Sequence, residues 1–135
     1  MKISQVVRQI SRLSFKAGDS LKLTRIITQQ DLDKFSDLTG DHNPIHKKSE
    51  NQKSLVHGAF LNSIVAGVIG TKLPGPGTIV VSQSFTFPSK CFVDDPIDII
   101  VELLDVRKII KVKYECSQSE RIVFEGEAKL VMNKI

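Results

Sequence analysis

Apolar residues along this chain change rhythm several times, and each change marks an element. Ile3, Val6, Val7, Ile10 and Leu13 recur at helical spacing. From Ser20 to Ile27 the pattern alternates and predicts a strand. Thr28 then opens T-Q-Q-D, an N-cap with an acid at the third helical position, and predicts a short helix to Leu38 that buries Leu32, Phe35 and Leu38 and closes at Gly40. From His57 to Lys72 the residues are apolar or small almost all the way round, Gly58, Ala59, Ser63, Ala66, Gly67 and Gly70 among them. Such a helix is expected to be buried on nearly every side, with a closely approaching sheet as the reason for its glycines. Four strands follow. Ile79, Val81, Gln83, Phe85 and Phe87 form one face of the first, and Ile97 to Val106 is the second. Ile110, Val112, Tyr114 and Cys116 alternate with Lys111, Lys113 and Glu115 in the third, as do Ile122, Phe124, Gly126, Ala128 and Leu130 with Val123, Glu125, Glu127 and Lys129 in the last. Strict alternation predicts antiparallel pairing with one solvated face. One buried helix followed by a run of strands predicts an α+β domain.

Composition narrows the class without naming a function. The chain has 135 residues, 41% hydrophobic and 25% charged, which suits one ordinary globular domain with a modest core. Cys91 and Cys116 have neither C-x-x-C nor metal-site spacing and read as buried free thiols, so no metal is expected. The net charge of +4 comes from residues 1–16, where Lys2, Arg8, Arg12 and Lys16 stand without an acid. The remainder is neutral, which argues against nucleic acid as a partner. An amphipathic, Arg-bearing, acid-free leader reads as a mitochondrial targeting segment over 1–16, ahead of a domain over 17–135; the alternative is an amino-terminal helix of a cytoplasmic protein. The longest nearly apolar run, Ala59 to Gly70, is shorter than the ~18 residues of a membrane span.

The chemistry concentrates between the two predicted helices. Thr39-Gly40-Asp41-His42-Asn43-Pro44-Ile45-His46 sets a carboxylate and an imidazole five residues apart on a loop stiffened by Gly40 and Pro44. Histidine titrates near neutrality, and a carboxylate beside it orients it or acts as a second proton carrier. The competing reading is a surface Asx-turn with an incidental histidine.

The longer pattern, F-S-D-L-T-G-D-H-N-P-I-H-K-K from Phe35 to Lys48, then Val56-His57-Gly58, Leu73-Pro74-Gly75-Pro76-Gly77 and Ser82-Gln83-Ser84-Phe85, resembles the (R)-specific enoyl-thioester hydratases. These are the MaoC-like, "hydratase 2" branch of the hotdog superfamily, and the resemblance covers roughly residues 18–132. It implies a single hotdog domain, an antiparallel sheet wrapped around a central helix, which pairs as a homodimer. It also implies reversible syn elimination of water from (R)-3-hydroxyacyl thioesters of acyl carrier protein or CoA, with no cofactor, in mitochondrial fatty acid synthesis.

By the same resemblance Asp41 and His46 are the catalytic pair, with His46 favoured as the base at C2 and Asp41 as the group handling hydroxyl or water; the sequence leaves that division open. Asn43 is expected to fix the loop or the reactive water. The Gly58 backbone N–H, at a helix start, is the expected oxyanion donor, with tight helix–sheet packing as the other explanation for a glycine there. Gln83 and Phe85 are candidates for the acyl tunnel, and Lys47, Lys48 and Lys53 for docking an acidic carrier. His42 reads as a solvated bystander and His57 as a brace at the helix entrance. The segment between Lys47 and Leu55 is shorter than the family pattern, and Ala66 stands where some relatives carry serine. Two other functions are compatible with the fold: an acyl thioesterase, and a noncatalytic acyl-binding or heterodimer subunit.

Overall fold

The computed structural model describes residues 15–133. The leader up to Ser14 therefore lies outside the described residues. The elements run β1 (Ser20–Arg25), α1 (Gln29–Thr39), a 3₁₀ turn (Pro44–His46), α2 (Gly58–Thr71), β2 (Thr78–Thr86), β3 (Ile97–Val106), β4 (Ile110–Gln118) and β5 (Arg121–Met132). The strands form one antiparallel sheet in the order β1-β3-β4-β5-β2. α2 packs on β2, β3 and β5. This is the α+β hotdog arrangement expected from the resemblance.

Alternation decides which strand faces enter the core. β4 buries Ile110, Val112, Tyr114 and Cys116 and turns its charged residues outward, and β3 buries Ile97, Ile99, Val101 and Leu103. The sheet side of α2, made by Leu61, Ile64, Val65, Val68 and Ile69, closes over them. Full burial of a side chain such as Phe124, Leu103 or Leu130 contributes roughly 1.5–3 kcal/mol to holding these layers together. Phe15 and Leu21 pack against the same core from β1 and its approach.

Three expectations need correction. Leu38 is 85% exposed, and Ser36 is buried in its place. At 3.6 residues per turn, Leu32 and Ser36 share one side of α1, while Leu38 lies about 200° round from Ser36. α2 is not enclosed on all sides: Ala59, Ser63, Ala66 and Gly67 are exposed, and a Cβ on Gly67 or Gly70 would meet nothing within 4 Å. A five-stranded sheet covers only one side of a helix, so the small-residue face stays open among the described residues. In β2 the register shifts between Val80 and Ser82, so the extra residue puts Val80, not Ile79, on the face of Gln83 and Phe85.

Candidate active site

The loop from Gly40 to His46 is built by local hydrogen bonds. Thr28 and Asp31 form a reciprocal capping box that starts α1, and Gly40, at φ 80°, ends it with its N–H donating to the Ser36 carbonyl. A side chain at that left-handed position would be strained. The Asn43 N–H donates to Asp41 Oδ1, and the Ile45 N–H donates to Asn43 Oδ1, an Asx-type turn that starts the 3₁₀ turn. Asn43 thus has a bracing role within the loop.

His46 is held from several directions. Its Nδ1 lies 2.7 Å from the Leu55 carbonyl oxygen, which fixes the tautomer as Nδ1–H and leaves Nε2 with a free lone pair. Leu55 is itself anchored, since its N–H donates to the Ile45 carbonyl and it bridges to Phe92. Gln29, in the first turn of α1, donates to the His46 carbonyl and accepts from the Ser54 hydroxyl. Asp41 Oδ2 stands 3.8 Å from His46 Nε2, with the Asp41 side chain 49% exposed and that of His46 8% exposed. The gap is too long for a direct hydrogen bond, and two acceptors so placed suit a water that donates one hydrogen to each.

A second imidazole lies behind the first. The His57 ring stacks on His46 with centroids 3.6 Å apart and planes 20° from parallel. Its Nε2 is 3.1 Å from Ser36 Oγ, and its buried Nδ1 has no hydrogen-bond partner among the described residues. Burial holds the His57 pKa below its ordinary value, the neighbouring His46 adds to this, and the backbone and charge of Asp41 oppose it without reversing it. His57 is therefore neutral near pH 7.

Side-chain donor atoms of Asp41, His46 and His57 lie within 4.8 Å of one another. Because the two rings stack nearly parallel, their in-plane lone pairs run side by side instead of converging. A divalent ion requires convergent ligands, so this geometry does not suit one.

A cavity of about 510 Å³ opens in front of His46, lined by Ile45, His46, Gly58, Leu61, Phe87 and Lys90 among others. As the first helical residue, Gly58 has no intrahelical acceptor for its N–H, and the positive end of the α2 dipole lies there. A Cβ on Gly58 would come within 2.7 Å of Phe87 Cζ, so close packing also requires the glycine.

Other candidates lie elsewhere. Gln83 and Phe85 do not line this cavity. The Gln83 amide exchanges hydrogen bonds with Asn62 and donates to the Tyr114 hydroxyl, tying β2 to α2 and β4, while Phe85 packs on Phe87 and Phe124. Lys53 is paired with Asp95 at 3.1 Å, Lys47 contacts His42, and Lys48 rims a separate cavity with Glu50. His42 is solvent-exposed, 3.8 Å from Asp37. Sequence reasoning missed Ser36, Gln29, the Leu55 carbonyl and Lys90. A signal for Ser36 was present, because a polar residue at i+4 from buried Leu32 needs a polar partner. None existed for the Leu55 carbonyl, which is backbone.

The arrangement has known counterparts. Residues 14–123 match the MaoC-like domain family. The (R)-specific enoyl-CoA hydratase of Rhodospirillum rubrum is 30% identical over 126 residues, covering 87% of this chain and 88% of that protein. A mitochondrial 3-hydroxyacyl-[acyl-carrier-protein] dehydratase of Arabidopsis thaliana is 29% identical over 135 residues, covering 90% of this chain and 80% of the other. Among solved structures, the (R)-hydratase from A. caviae involved in PHA biosynthesis superposes with a TM-score of 0.82 at 26% identity, over 88% of this chain and 98% of that one. Since the matched span takes in both helices, the Asp41–His46 loop and most of the sheet, the chain belongs to the MaoC-like domain family.

Proposed function

We propose that this hydro-lyase interconverts (R)-3-hydroxyacyl and trans-2-enoyl thioesters, with Asp41 and His46 as its catalytic residues. One observation carries the reading. A buried imidazole with Nδ1–H committed to a carbonyl presents a bare Nε2 to Asp41 Oδ2 across 3.8 Å, and the same histidine, though not Asp41, lines a cavity that also takes in Gly58 at the start of α2. In the dehydration direction His46 Nε2 removes the C2 proton, and the electron pair passes to the thioester oxygen, where the Gly58 N–H receives the charge. The enolate pair then returns to form the C2=C3 double bond as the C3–O bond breaks. The departing hydroxyl, held by Asp41, takes the proton back from the imidazolium and leaves as water, so proton and charge balance. Both steps use groups on one side of the substrate, which matches syn chemistry. The relatives' names support this reaction class at about 30% identity.

The carrier is taken to be acyl carrier protein or CoA, and the setting mitochondrial fatty acid synthesis. Two plant relatives named as mitochondrial and the basic, acid-free leader support that setting. Phe15 packs against the core, so a deletion testing import stops at Ser14. The protein is taken to act as a homodimer joined along β2, an edge strand exposing Ile79, Val80, Val81 and Phe85. No helix among the described residues is long and apolar enough to cross a membrane. Hydration of crotonyl-CoA and crotonyl-pantetheine by the purified chain tests the central claim. Formation of (R)-3-hydroxybutyryl product is expected, whereas hydrolysis to free thiol would replace the hydratase reading with a thioesterase one.

A further inference from the structure

We infer that Ser36 and His57 are positioning residues that set the ring plane of His46 and so keep its Nδ1–H aligned with the Leu55 carbonyl that fixes its tautomer. The inference rests on the proposed role of His46 as the base. Rotation of the His46 ring about Cβ–Cγ would carry Nδ1 out of line with the Leu55 carbonyl. The 3.6 Å stack with His57 resists that rotation by covering one face of the ring. His57 in turn has little room to move. Ser36 Oγ holds its Nε2 at 3.1 Å, and Phe35 meets it edge-on at a centroid distance of 4.9 Å. The chain of contacts thus runs from α1 through the entrance of α2 to the base.

A purely space-filling role fits this site poorly. His57 is 2% exposed, Ser36 engages its Nε2, and its Nδ1 has no hydrogen-bond partner among the described residues. Buried polar atoms are nearly always hydrogen-bonded, and a leucine would fill this space without leaving a nitrogen unpartnered. A flat neutral ring gives what an aliphatic side chain does not: a planar face to lie on, without a fixed charge beside the base. The N-cap position of α2 supports this, because the His57 side chain makes no capping hydrogen bond and faces the active site instead.

The test combines kinetics with nitrogen NMR of the full chain labelled at histidine. In the wild type, His46 should be found as the Nδ1–H tautomer alone. In His57→Leu it should become a mixture, with kcat for crotonyl-pantetheine falling about 10- to 100-fold and KM changing less than about twofold, the signature of a misaligned catalytic group. Ser36→Ala should move both readouts the same way by a smaller amount. His57→Phe, which keeps a flat ring, should recover most of the kcat lost in His57→Leu; it also serves as the informative variant if leucine prevents folding. An unchanged His46 spectrum and an unchanged kcat in folded variants would overturn the inference. If the His46 tautomer shifts but the wild type hydrates no enoyl thioester, the positioning stands and the reaction assignment fails.

Discussion

Replacing Asp41 by asparagine separates charge from shape at the active-site loop. Asparagine keeps an oxygen able to accept from the Asn43 N–H, so the turn is retained, and only the negative charge 3.8 Å from His46 Nε2 is lost. When the base takes the C2 proton it becomes an imidazolium, and that charge is stabilised by the carboxylate. Coulomb's law at this separation gives about 4 kcal/mol at an effective dielectric constant of ~20 and about 1 kcal/mol in water. Asp41 is half exposed, so solvent screening places the expected loss between these limits, or roughly 6-fold to 10³-fold in kcat. Loss of its hold on the hydroxyl adds to this and puts the combined effect near the upper end, within the usual range for acid–base groups. Stability should change by less than about 0.5 kcal/mol, because an exposed side chain with its turn intact loses little. Initial rates of enoyl-thioester hydration, followed by loss of the conjugated chromophore, and thermal unfolding of the same sample give both numbers. A folded variant that keeps kcat within about threefold of wild type would refute the argument.

Val81→Lys, at the β2 bulge on an apolar edge, should convert a dimer near twice the 15.0 kDa chain mass into a monomer by sedimentation; a monomeric wild type with full activity would contradict the dimer. Reversing Lys47 and Lys48 to glutamate should lower kcat/KM for an acyl-carrier-protein substrate more than for a pantetheine thioester, with the difference shrinking as salt rises, whereas Lys53→Glu should do less because Asp95 already neutralises it. Cys91 and Cys116, free and buried, have thiol pKa values pushed up to about 12 chiefly by burial, so iodoacetamide should label them only as fast as the protein unfolds. The depressed His57 pKa gives stability that is whole above the unfolded value of 6.5 and is lost as pH falls through the folded one. Between about pH 7 and about pH 5 the wild type should therefore lose more Tm than His57→Phe; equal losses would show that other groups, Asp41, His46 and Lys47 included, account for the acid response.

The sequence by itself determined what depends on short spacings. The capping box at Thr28 and Asp31, the stop at Gly40, the alternation of β4 and the Asp41–His46 loop all rest on residues a few positions apart, whose physics local geometry settles. The family follows from the same local block. Tertiary structure decided the rest, because the deciding partners are distant in the chain or are backbone atoms. Which nitrogen of His46 is free depends on the carbonyl of Leu55, and the plane of its ring depends on His57 and, through it, Ser36 of α1. Leu38 and Ser36 exchange their expected places because one helix face meets the molecule and the other meets water, a choice that periodicity poses and packing makes. Gln83 looked free to line a tunnel until Asn62 and Tyr114 occupied its amide. The glycines of α2 divide for the same reason: Gly58 is required by the approach of Phe87, just past the end of β2 and more than twenty residues on, while Gly67 faces a surface that a single five-stranded sheet is too narrow to cover.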